Sequence, residues 1–71
     1  MEVFVFKTNI YRLNHLEKLK PVINNHKGIQ AWSVDLQDID KVLRVEAELS
    51  SPAEIIHLVN KAGFYCEELP D

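Results

Sequence analysis

An α+β fold in the order strand, helix, strand, strand, helix, strand is predicted by three features of the chain. Residues 1–7 are an unbroken run rich in Val and Phe. Two stretches, 11–25 and 52–62, carry apolar residues at helical spacing, the second behind a strong start signal. Between them, residues 29–36 and 41–48 alternate apolar and polar side chains, the period of half-buried strands.

Met1-Glu2-Val3-Phe4-Val5-Phe6-Lys7 contains no breaker and reads as a buried central strand. Over 11–25, Leu13, Leu16, Leu19 or Lys20, and Ile23 recur on one helical face, with Asn9 or Thr8 expected to cap the start. Pro21 removes a hydrogen bond inside that helix at a cost of about 3 kcal/mol or more, so a kink or break is expected there. The periodicity nevertheless continues through Val22 and Ile23, which argues for one helix. Asn24-Asn25-His26-Lys27-Gly28 is a stop and a turn, with Gly28 or an Asn expected in the left-handed conformation.

In the next strand Trp32, Val34 and Leu36 share one face, and Ala31, Ser33 and Asp35 the other. Gln37-Asp38-Ile39-Asp40 is a polar hairpin connection. Leu43, Val45 and Ala47 then face one way, while Val42, Arg44, Glu46 and Glu48 face the other.

Ser51-Pro52-Ala53-Glu54 is the clearest local signal. Ser at the cap, Pro at the first helical position and Glu at the third make a capping box with a pre-set first turn. The helix is expected to run to about Ala62, burying Ile55, Leu58 or Val59, and Ala62, with Gly63 as its stop. Residues 64–69 form a last short strand ended by Pro70.

Right-handed crossovers place both helices on one face of a four-stranded antiparallel sheet, the first and third strands in the middle. This is the ferredoxin-like βαββαβ plait. Its expected core is Phe4, Phe6, Leu16, Ile23, Trp32, Val34, Leu43, Val45, Ile55, Val59 and Phe64.

At 71 residues, 46% of them apolar and 27% charged, the chain is expected to be one soluble domain spanning 1–71. A net charge of -3, with Arg12, Lys18, Lys20 and Lys27 scattered among polar neighbours, argues against a nucleic-acid surface. No run approaches the roughly 20 apolar residues of a membrane span. The apolar start is too short for a signal-peptide core and lacks a basic flank. Cys66 is the single cysteine and leaves no internal disulfide, so a cytoplasmic setting is expected.

Several short pieces in order carry a resemblance: Lys7-Thr8, Gly28-Ile29, Val34-Asp35-Leu36, Lys41-Val42 and Ala62-Gly63-Phe64. Together they make the chain similar to the heavy-metal-associated domain, the fold of small copper chaperones and of the amino-terminal modules of metal-pumping ATPases. The resemblance implies a metal loop between the first strand and the first helix, with the pattern Met-Thr-Cys-x-x-Cys. Aligned without gaps, Lys7 takes the Met place, Thr8 keeps the Thr, and Asn9 and Arg12 take the two Cys places. An amide is a poor ligand for a soft metal, and a guanidinium stays protonated and offers only donors. No metal ligand, and no cofactor, is therefore carried over, and a degenerate member of the family is expected.

Cys66, His15, His26 and His57 are the remaining soft candidates. Cys66 shares a strand face with Phe64 and reads as a small buried hydrophobe; the three histidines read as scattered surface residues. Acylphosphatases share the plait and use an arginine in the first loop with an asparagine on the second strand. Here the loop around Arg12 has no glycines to present backbone N–H groups to a phosphate, and the second strand has no Asn. No nucleophile and base can be paired, so catalysis is not expected.

Binding remains. The uncovered face of the sheet is expected to show Val3, Val5, Val42, Tyr65 and Leu69, interrupted by Arg44, Glu46 and Glu67, a surface suited to a dimer or a protein partner. A second candidate surface is the loop itself, where Asn9, Tyr11 and Arg12 offer hydrogen bonds, an aromatic ring and a fixed positive charge. The expected function is a small non-catalytic interaction module without metal in the usual loop. The rival is a metal carrier using non-standard ligands, and anion or small-molecule binding at Arg12 is a third reading.

Overall fold

The structure, a computed structural model, describes residues 2–70. Its elements are β1 (Glu2–Thr8), α1 (Leu13–Asn24), β2 (Ile29–Val34), β3 (Leu43–Ala47), α2 (Pro52–Lys61) and β4 (Cys66–Glu68). The strands form one antiparallel sheet in the order β2-β3-β1-β4. The ferredoxin-like plait expected from the sequence is present, with β1 and β3 at its centre.

Alternation decides which face is buried. Phe6 on β1 and Leu43, Val45 and Ala47 on β3 pack with Leu19 and Ile23 of α1 and Ile55 and Val59 of α2. All but Ala47 of these are wholly removed from solvent. Each such side chain contributes about 1.5–3 kcal/mol of hydrophobic stabilisation before chain entropy is offset. Phe4, Leu16, Trp32, Val34 and Phe64, expected in the core, pack at its margin instead. Ile10, in the connection after β1, is wholly buried and was not among the expected core residues.

α2 begins as the sequence predicts. The Glu54 N–H donates to Ser51 Oγ (3.3 Å) and the Ser51 N–H donates to Glu54 Oε1 (3.3 Å). Gly63 follows the helix with φ 99°, the left-handed stop. α1 begins differently: it starts at Leu13, its cap is Arg12 in extended backbone, and no side chain caps it. Neither Thr8 nor Asn9 serves as cap, because the oxygen of each is engaged elsewhere. The expected break at Pro21 is also absent, and the helix runs on to Asn24. Only the one bond is lost, and the full burial of Ile23 holds the turn beyond it.

The turn after α1 contains no left-handed residue. Asn25 is αR, and among the described residues only Lys41 (φ 47°) and Gly63 have positive φ. Gly28 lies close against Ser50, whose hydroxyl would have to turn aside for a Cβ there. In β2 a register shift between Ile29 and Ala31 puts Ile29 opposite Ala47 and Trp32 opposite Val45. That bulge turns Ile29 to the core, where strict alternation would have left it outside with Ala31. Leu36 lies beyond the strand, and the Trp32 indole N–H donates to Asn24 Oδ1 (2.9 Å).

Candidate functional site

The connection between β1 and α1 is held by its own polar atoms. Thr8 is buried, and its hydroxyl donates to the Lys41 carbonyl (2.6 Å) while accepting the Ile10 N–H (3.2 Å). Its backbone N–H donates to the Asp40 carbonyl (3.1 Å), and Lys7 pairs with the Asp40 carboxylate at 3.8 Å. These bonds tie the end of β1 to the β2–β3 hairpin. Ile10 then turns inward into the core and fixes the loop from below.

Asn9 occupies the first of the two expected ligand places. Its Oδ1 accepts the Tyr65 N–H at 2.8 Å, 56 residues away in the chain, and so pins the loop to the approach of β4. Arg12 occupies the second. Its guanidinium carbon stands 5.1 Å from the centre of the Tyr11 ring, within cation–π range, and the side chain is exposed. Tyr11 is 52% and Leu13 73% exposed.

His15, read from the sequence as a surface residue, is half-buried beside the loop. Its Nδ1 accepts the Tyr11 N–H (3.3 Å), and its ring lies between Tyr11 at 4.7 Å and Phe64 at 5.1 Å. It is the local partner that steadies the start of α1 in the absence of a cap. The signal for it was the four-residue spacing from Tyr11; the signal for Ile10 was an apolar residue inside a polar loop.

The other soft groups do not gather into one site. Cys66 is buried opposite Thr8 on β4, and burial pushes its thiol up to about 12. His26 accepts the Gly28 N–H at Nδ1 (3.2 Å) and stands near Glu54 (3.5 Å), at the opposite end of the sheet from Thr8. His57 is exposed on α2. Among the described residues no group of three or more His, Cys, Asp or Glu side chains is placed to hold a metal ion. The amide and guanidinium at the two ligand places do not fit a soft metal, which calls for thiolate donors.

The residues expected on the open face are only partly gathered. Val3 and Val5 are neighbours on β1, and the Leu69 N–H donates to the Val5 carbonyl (2.9 Å). Val42 lies just before β3, half-buried, with its carbonyl accepting the Asp35 N–H. Tyr65 belongs with the loop through Asn9. Its hydroxyl donates to Glu67 Oε1 (3.1 Å), and this bond to a carboxylate raises the phenol above its ordinary range. No helix among the described residues is long and apolar enough to cross a membrane.

No family model matches the sequence, and comparison with characterised proteins likewise finds no match. Solved structures do match. The amino-terminal domain of PacS from Synechocystis PCC6803 superposes with a TM-score of 0.81 at 15% identity, covering 99% of this chain and 100% of that one. The yeast copper transporter domain Ccc2a, solved in apo and Cu(I)-loaded states, gives 0.83 at 15% identity, covering 100% and 99%. A structure of the Atx1-Cu(I)-Ccc2a complex gives 0.80 at 16% identity, covering 100% and 99%. Likeness at this identity defines the fold: the chain has the architecture of the heavy-metal-associated copper-binding domains. The paired cysteines that the family resemblance implies are not present, for Cys66 is the chain's one thiol.

Proposed function

We propose that the protein is a non-catalytic member of the heavy-metal-associated family that binds a protein partner through the loop end and carries no metal there. The observation behind this is that both ligand places have other work. Asn9 spends its carbonyl oxygen on Tyr65 at 2.8 Å, and Arg12 holds a permanent charge over Tyr11. What that end offers to solvent is Tyr11, Arg12, Leu13 and Tyr65, the aromatic, guanidinium and aliphatic types that anchor protein interfaces. The Atx1–Ccc2a structure gives the fold a precedent for joining a second protein. The setting proposed is the cytoplasm, where a lone cysteine stays reduced.

The rival is metal carriage, which the copper-loaded relatives in fold favour by themselves. It would have to recruit Cys66, whose thiol is buried and held protonated, with a histidine from elsewhere. Titration with Cu(I) and with Zn(II), followed by amide NMR, separates the two. Metal-free function expects no saturable shift at residues 7–12. Sub-micromolar binding with shifts confined to one site would overturn it. Arg12→Ala is expected to leave the fold unchanged and to weaken partner binding, whereas a partner that ignores this change docks elsewhere.

A further inference from the structure

The sheet face turned away from the helices has a pattern that strand register fixes. Across β1 and β3, Val3 stands opposite Glu46 and Val5 opposite Arg44. Across β2 and β3, Ala31 stands opposite Glu46 and Ser33 opposite Arg44. Two rows therefore cross the sheet: Ala31, Glu46, Val3, and then Ser33, Arg44, Val5. They lie about 7 Å apart along the strands, since same-face residues are two apart. One row carries an acid and the other a base, each beside a valine. Val3 is 41% exposed, and neither Arg44 nor Glu46 forms an ion pair with any other described side chain.

We propose that this face docks a second copy of the same chain. Consider a half-turn about an axis lying in the face, across the strands and midway between the two rows. It exchanges the rows while keeping each strand over its own counterpart. Arg44 then meets the partner's Glu46, Glu46 meets the partner's Arg44, and Val3 meets the partner's Val5. A uniformly acidic or basic surface would satisfy one row and repel the other. A surface with the same alternation satisfies both, and the chain supplies that surface itself.

The footprint limits the strength. Four strands at about 4.8 Å and a few rows deep give on the order of 300 Å². A stable interface needs roughly 800 Å² per partner. The dimer is accordingly weak and fast-exchanging. It leaves Tyr11 and Arg12 at the loop end free, so it stands or falls independently of the metal-free loop.

The test is amide NMR and sedimentation equilibrium across a roughly hundredfold concentration range reaching about 1 mM, where weak association shows. Concentration-dependent shifts are expected at Val3, Val5, Ala31, Ser33, Arg44 and Glu46. Arg44→Glu alone and Glu46→Arg alone set like charges face to face, and each is expected to weaken the dimer about tenfold or more. The swapped variant Arg44→Glu/Glu46→Arg restores the pairing and is expected to dimerise about as well as the wild-type chain. A wild-type monomer at the highest concentration overturns the proposal without any variant. So does a swapped variant that dimerises no better than either single change.

Discussion

The chain starts its two helices in opposite ways. α2 is started locally: Ser51 and Glu54, three residues apart, satisfy each other's backbone N–H groups, and Pro52 pre-sets the first turn. α1 has no side-chain cap, no acid in its first turn and a cation at the cap position. Its approach is held by bonds to distant segments, from Thr8 to Lys41 and from Tyr65 to Asn9, and by the burial of Ile10. A helix that caps itself leaves its neighbours free. A loop stitched to the rest of the fold has committed its polar atoms, and at Asn9 that atom stands where the resemblance places a metal ligand. The difference bears on the proposed function: the polar atoms of the β1–α1 loop are engaged by the fold, and Tyr11, Arg12 and Leu13 are exposed beside them.

The largest expected effect breaks the loop from beneath. Ile10→Ala removes a wholly buried side chain and should cost about 2–5 kcal/mol in urea-induced unfolding, as much as a change in the middle of the core. Leu49, also in a strand–helix connection but 88% exposed, should tolerate Leu49→Ala within about 0.5 kcal/mol. Equal small losses at both positions would mean that the first loop is not anchored.

Next in size is the response to alkaline pH at Cys66, which faces Thr8 at the edge of that loop. Its folded-state pKa, about 12, lies above the unfolded thiol's ordinary value, so the unfolded chain loses the proton first. The stability is complete below the unfolded pKa and is lost progressively as pH climbs through the alkaline range toward about 12. Unfolding curves for Cys66→Ala should lack this part of the loss. The same burial predicts a native thiol that reacts slowly with disulfide reagents at neutral pH and rapidly once unfolded.

A smaller effect compares the two helix starts directly. Ser51→Ala removes the local cap at about 1 kcal/mol, and Asn9→Ala removes one long-range bond at about 0.5–1.5 kcal/mol. Totals are expected to be similar, but amide hydrogen exchange should separate them. Loss of Ser51 should loosen the first turn of α2 alone, whereas loss of Asn9 should loosen both the first loop and the approach to β4 around Tyr65. The smallest effect is that of Arg12→Ala, within about 0.5 kcal/mol of wild type by urea unfolding, because the exposed charge supports no buried bond.

What the sequence made legible follows the same division. The order of elements, the central place of β1 and β3, the capping box and the Gly63 stop all rest on signals spanning a few residues, and each is present. The start of α1, the role of Gly28 and the bulge at Ile29 depend on what packs nearby, which spacing does not record. In the loop, ligand chemistry at Asn9 and Arg12 could be judged from residue types. That Asn9 bonds Tyr65, or that His15 meets Tyr11 edge-on and Phe64 at a tilt, could not, since those contacts cross the fold or depend on rotamers.

The most direct test of the scaffold loop is a side-by-side Cu(I) titration of the wild-type chain and of Asn9→Cys/Arg12→Cys, read by amide NMR in the presence of a competing thiol. The double variant replaces an amide and a guanidinium with two thiols, the soft donors that Cu(I) favours. It is expected to take up one Cu(I) with shifts confined to residues 7–15 and the neighbourhood of Tyr65, while the wild-type chain shows no saturable change there. Saturable Cu(I) binding at that loop in the wild-type chain, as tight as in the double variant, would contradict the claim that Asn9 and Arg12 have been given over to other work.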